Sequence, residues 1–184
     1  AQKAGNADIK FAVNYLKKST RKVINFGAKC SEKQLNFAPN ELTWSLAGNL
    51  EHLIKTDKLY STLITSALER ESTGYEQSEA TDTEVISKMS VRSATSQRMS
   101  TTPSLIPKSD YKDFAEVKMA LSNSRKEIIQ YLKTTNDELR GHFAKHPLFG
   151  QLDVFQWYLM NAAHTERHYM QMLELSQLKS FPNK

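Results

Sequence analysis

Apolar residues recur every three or four positions along four long stretches of the chain, the period of amphipathic helices. The first stretch covers residues 6–29, with Ile9, Val13, Leu16, Val23 and Phe26 on one face. In the second, Ser45 offers an N-cap and the stripe Leu46, Leu50, Leu53, Tyr60, Ile64 and Ala67 runs to about Leu68, with Asp57 occupying one apolar slot. The third begins at Asp110 or Tyr111, carries Phe114, Val117, Leu121, Ile128 and Leu132, and ends near Asn136. The fourth, capped by Asp153, runs to about Leu178 with Trp157, Met160, His164, His168, Met172 and Leu175 in line.

The intervening segments read differently. "SEKQLNFAPNELTW" is a loop, marked by Pro39 and Asn40. A shorter helix is expected from Thr83 to about Gln97. "RMSTTPSLIPKSD" is a loop, since Pro103 and Pro107 forbid regular structure across it. "ELRGHFAKHPLFGQLD" is a compact connection holding Gly141, Pro147 and Gly150. Strand signal is nearly absent and no repeat is visible. The pattern therefore predicts an all-α protein, a four-helix bundle in one domain over residues 1–184. A long crossover between the second and third long helices, from about Glu69 to Ser109, carries the short extra helix.

Composition narrows the function classes. Hydrophobic residues make up 39% of the 184, and no window approaches the roughly 18 apolar residues that span a membrane. The net charge is +5, but basic residues are scattered among acidic ones and no basic run carries stacking aromatics, so a nucleic-acid partner is not expected. Cys30 is the single cysteine; it can form no internal disulfide and has no basic cluster to activate it. The opening "AQKAGNADIK" lacks methionine, which fits a trimmed chain, removal of the initiator or cleavage of a signal peptide. On the last of these, export to the periplasm is the expected location; the cytoplasm is the alternative.

The histidines change the picture most. His164 and His168 in "NAAHTERHYM" are four residues apart on one helix face, which puts their Cβ atoms about 5–6 Å apart. Two imidazoles so placed can aim ring nitrogens at one ion about 2.0–2.1 Å away. The zinc-protease spacing HExxH is similar, but here Glu166 lies two residues from each histidine. That turns it about 200° around the helix, away from a shared metal. An isolated HxxxH also describes surface histidines or a satisfied buried pair. Against that, this pair interrupts a core stripe, where an unpaired polar group costs about 1–3 kcal/mol. Asn161 and Gln171 are further polar residues on the same side, and His52 in "NLEHLIKTD" stands at the edge of the second helix's stripe. Three imidazoles from two helices would leave a coordination position open, as catalytic metal sites do. On the residues alone, both the metal and the non-metal reading stand. His142 and His146, in the Gly/Pro-bounded connection, read as structural, and Trp44 and Trp157 read as core anchors at helix starts.

Three segments carry a family resemblance. "LTWSLAGNLEHL" resembles the start of the second helix of the DinB-like superfamily, with its first metal-binding histidine. "HPLFGQLDVFQWYLMNAAHTERHYMQMLEL" resembles that superfamily's final helix with its HxxxH pair. "VRSATSQRMSTTPSLIPK" is similar to the Arg-rich, proline-bounded crossover of one branch, whose members are often exported. The resemblance implies a four-helix bundle with a divalent metal on His52, His164 and His168. It also implies chemistry on low-molecular-weight thiols, since relatives include thiol transferases and isomerases in which the metal activates sulfur. Three imidazoles do not distinguish zinc, nickel, iron and manganese.

The expected function is thus a metal-dependent enzyme, a thiol S-transferase or a related small-molecule transferase or hydrolase. Asn49 and Asn161, each one turn before a ligand histidine, are expected behind the ligands or facing substrate. Arg167 is expected to hold an anionic substrate or, in preference, to pair with a neighbouring helix. A homodimer is compatible with the sequence. The rival is a non-enzymatic, stress-associated binding or scaffold bundle with a structural metal or none.

Overall fold

The computed structural model describes residues 3–73, 77–91 and 101–184. Its elements in chain order are α1 (Asn6–Gly27), α2 (Glu32–Leu35), α3 (Leu46–Leu68), α4 (Asp82–Ser90), a 3-10 turn (Pro103–Leu105), α5 (Phe114–Thr134), β1 (Phe143–His146), β2 (Gly150–Asp153) and α6 (Val154–Ser176). The four long helices are the predicted ones. Helix α6 packs against α1 and α3, and α5 packs against the same two, so the helices run α1, α6, α3, α5 around the bundle. The long helices that follow each other across α2, α1 and α3, therefore stand on opposite corners, as do α5 and α6. The long connection from α3 to α5 carries α4, which lies against α6.

Local chemistry sets most boundaries. Ser45 Oγ accepts the Gly48 amide at 3.0 Å and starts α3. Asp153 Oδ1 accepts the Gln156 amide at 2.7 Å and starts α6. Helix α5 starts later than the sequence pattern placed it. The buried Glu51 carboxylate accepts the Lys108 amide at 2.7 Å and the Asp110 amide at 3.3 Å. These bonds hold the incoming chain on α3, and the helix waits for its cap, Asp113, whose Oδ1 accepts the Glu116 amide at 3.0 Å. The short helix, expected over 83–97, occupies Asp82–Ser90 behind a Thr81–Glu84 capping box; its expected end falls in 92–100, outside the described residues. Arg140 docks α4 beside the start of α6, with Nη2 2.7 Å from Asp82 and Nη1 3.0 Å from Asp153.

Two elements depart from the expected loops. Ser31 and Gln34 cap one another, which closes the four-residue helix α2. The connection before α6 is a β-hairpin, in which Phe143 pairs with Asp153 and His146 with Gly150. Gly150 closes its turn at φ 69°, where a side chain is disfavoured.

Candidate metal centre

The site forms where α3 and α6 face each other in the bundle. His52 comes from α3, and His164 and His168 come from successive turns of α6. Their ring centroids are 4.7 Å (His52–His168), 5.2 Å (His52–His164) and 4.5 Å (His164–His168) apart. One ring nitrogen from each lies within 4.8 Å of the other two. His52 and His168 are buried and His164 is partly so. Sequence spacing placed the α6 pair; the adjacency of α3 and α6 supplies the third.

Hydrogen bonds fix which nitrogens carry the proton. His52 Nδ1 lies 2.9 Å from the carbonyl oxygen of Leu105, which can only accept. Nδ1 therefore carries the proton and Nε2 keeps its lone pair. His168 Nδ1 lies 2.8 Å from Asn49 Oδ1. Asn49 Nδ2 donates to the Ser45 carbonyl at 2.8 Å, so the amide orientation is set and Oδ1 faces the histidine as acceptor. His168 Nε2 is thus also bare, and it lies 3.0 Å from His164 Nε2. The Nδ1 of His164 is buried and, among the described residues, has no hydrogen-bond partner.

Electrostatics favour the neutral form of His52 and His164. Burial lowers the pKa of His52, more than the Leu105 hydrogen bond restores. Burial, then the neighbouring His52 and Arg125, drive that of His164 well below the ordinary imidazole value. Neutral imidazoles with oriented lone pairs are what a divalent ion requires. The donor set fits such an ion, and three nitrogens alone leave its identity open.

The end of the crossover is strapped to α3 at the site. Besides the Leu105–His52 bond, Lys55 Nζ donates to the Ile106 carbonyl at 2.9 Å, and Glu51 holds Lys108 as described. Asn49 sits behind the His168 ring, its Oδ1 2.8 Å from Nδ1. Among the described residues Asn161 Oδ1 makes no hydrogen bond, to a histidine ring or otherwise; its Nδ2 donates to Asp57 Oδ1 at 2.9 Å. Arg167 Nη1 donates to the Val91 carbonyl, just past α4, at 2.8 Å. Glu166 turns away from the histidines and binds α1 through Tyr15 at 2.8 Å and Lys22 at 2.6 Å.

Trp44 corrects the sequence reading. Trp157 is a buried core anchor. Trp44 instead packs on the site, with its ring centroid 4.6 Å from His52 and 6.2 Å from His168, nearly parallel to the latter. It lies just before the N-cap of α3, where the chain can fold back over the helix face that carries Asn49 and His52. His142 and His146 are structural, as expected: His142 Nδ1 meets the Ala67 carbonyl at 3.2 Å, and His146 Nδ1 accepts the Leu148 amide at 3.1 Å.

The sequence reading missed a buried ionic network beside the histidines. Asp57 Oδ2 accepts from Arg125 Nε at 2.9 Å and from Ser124 Oγ at 2.8 Å. Arg125 Nη2 donates to Thr165 Oγ1 at 3.0 Å, and Thr165 donates to the Asn161 carbonyl at 2.9 Å. The available signal was a pair of matching gaps, Asp57 in the α3 stripe and Arg125 between Leu121 and Ile128 of α5.

A four-helix bundle with one histidine on the second long helix and an HxxxH pair on the last defines a class of metal-site bundles. The chain belongs to the DinB superfamily, whose family model matches residues 15–172. It is 24% identical over 148 residues to the protein YuaE of Bacillus subtilis (strain 168), covering 80% of this chain and 86% of that one. The structure of YfiT from Bacillus subtilis superposes with a TM-score of 0.62 at 14% identity, covering 96% of this chain and 90% of YfiT, and shares the fold.

Proposed function

We propose that the protein is a metal-dependent enzyme in which a divalent ion on His52, His164 and His168 activates a small nucleophile, a low-molecular-weight thiol or water, for attack on a small electrophile. One observation carries this reading. The cluster holds three imidazoles and, among the described residues, no further histidine, cysteine or carboxylate joins it. Three protein ligands leave a position for an exogenous molecule. A bound divalent ion lowers the pKa of a coordinated thiol or water. Leu105 and Asn49 hold two imidazoles in the ligating tautomer, and Trp44 walls the site. YfiT, which shares the fold, is described as a probable metal-dependent hydrolase, and this supports metal-assisted chemistry on such a bundle. The nucleophile comes from solution, because the Cys30 sulfur is tied to the Phe26 carbonyl at 3.4 Å and burial raises its pKa.

A scaffold role is the second reading, favoured by the packing of Trp44 against two of the rings. Metal-loaded protein incubated with biological thiols and a chromogenic electrophile, and separately with activated esters in water, separates the two. Turnover that is lost in His164→Ala and retained in Cys30→Ser is the expected result. Absence of turnover in both panels assigns the protein to the scaffold reading.

A further inference from the structure

Two of the three site histidines have an acceptor behind the ring: the Leu105 carbonyl for His52 and the Asn49 side chain for His168. Among the described residues His164 has none, and its buried Nδ1 is unpaired. One turn earlier on α6, the Oδ1 of Asn161 is also buried and unpaired. The orientation of that amide is fixed, because its Nδ2 donates to Asp57 Oδ1 at 2.9 Å and a carboxylate only accepts. Asp57 is in turn held by Arg125 and Ser124. Asn161 Oδ1 is therefore a buried acceptor lacking a donor.

The two unpaired atoms match in only one state of His164. With His168 Nε2 bare, the 3.0 Å contact between the two Nε2 atoms requires the proton on His164 Nε2. Its Nδ1 is then an acceptor, and so is Asn161 Oδ1. When Nε2 gives its lone pair to an ion, the proton moves to Nδ1, and the histidine becomes the donor that Asn161 lacks. Resting on the metal-site reading above, we propose that Asn161 is the positioning residue for His164. It accepts the Nδ1 proton directly or through one water, and the Asp57–Arg125 pair holds its amide for that purpose. Each ligand histidine then has its own acceptor, and the buried ion pair lies behind the third.

The test uses the full chain with zinc alone as probe. Competition against a chromophoric chelator gives zinc affinity, and ¹⁵N-histidine spectra give tautomers. In zinc-loaded wild type, His164 should coordinate through Nε2 and show a slowly exchanging, downfield Nδ1 proton. Asn161→Ala should weaken zinc binding by about ten- to a hundredfold and lose that proton's protection. Unchanged zinc affinity in Asn161→Ala overturns the proposal. So does coordination of His164 through Nδ1, or a fast-exchanging Nδ1 proton in wild type, and these two readouts need no variant to fold. Failure of wild type to bind zinc at the histidines would instead remove the metal-site reading beneath it.

Discussion

Arg125 and Asp57 form a salt bridge inside the bundle, with Nε 2.9 Å from Oδ2 and side chains only 3% and 1% exposed. The pair joins α5 to α3, and through Asn161 and Thr165 it reaches α6. Desolvation cancels much of the Coulombic gain of such a pair, but removing one partner leaves the other charge buried alone. Arg125→Met should therefore destabilise the metal-free protein by about 3–5 kcal/mol. Asp57→Leu combined with Arg125→Met should cost less than the sum of the single changes. Urea unfolding of the four forms measures this, and an additive double variant would show that the two charges are not coupled.

Metal content should follow the three histidines. Protein purified without added metal is expected to hold about one divalent ion per chain. Alanine at His52, His164 or His168 should each empty the site. His142→Ala should not, because that ring meets the Ala67 carbonyl and lies outside the cluster. Elemental analysis of the purified variants decides, and full occupancy in His164→Ala would exclude the assignment.

Metal binding should also raise stability. An ion that bridges α3 and α6 binds only the folded chain, so at a hundredfold excess over Kd it adds about 2.7 kcal/mol. Chelation should lower Tm while leaving the helical signal in place, because the apolar faces that pack α1, α3, α5 and α6 do not depend on the ion. A Tm unchanged by chelation, with metal loss verified, would contradict a bridging ion.

What the sequence revealed and what it hid divides along contact range. The long helices and the α6 pair repeat at a fixed local period, so Val154–Ser176 could be placed within about two residues of its observed end. His52 was legible as a polar residue at the edge of a stripe. The hairpin was not, because strands of four residues are too short to show an alternation. Arg125 and Asp57 are 68 positions apart, and each reads alone as a flaw in its helix. Only the helix order around the bundle makes the two gaps one feature. Trp44 was misplaced for a similar reason: which neighbour lies over the start of α3 depends on how the preceding loop folds back.

Acid should destabilise the protein partly through His146. Burial pushes its pKa from 6.5 down to about 4, and it accepts the Leu148 amide as a neutral ring. Between these values the unfolded chain binds the proton and the folded one does not, so unfolding becomes easier as pH falls. The contribution is fully present above about 6.5, declines through the window and is gone below about 4. In metal-free protein, His146→Gln should show a shallower loss of stability between these pH values than wild type. Parallel curves would mean that His146 does not carry this term.

Tryptophan fluorescence should report the ion directly. The chain has two tryptophans. Trp44 packs 4.6 Å from the His52 ring. Among the described ring contacts, Trp157 meets the site through Tyr60, whose ring is 5.0 Å from Trp157 and 6.4 Å from His164. A paramagnetic ion such as cobalt(II) at the three histidines should quench Trp44 far more than Trp157. Trp157→Phe should keep most of the cobalt-dependent quenching, and Trp44→Phe should lose most of it. The quenching should saturate at one equivalent and reverse with chelator. If Trp44→Phe retained the full response, the ion would have to bind away from the face that Trp44 covers, and the placement on His52 and His168 would be wrong.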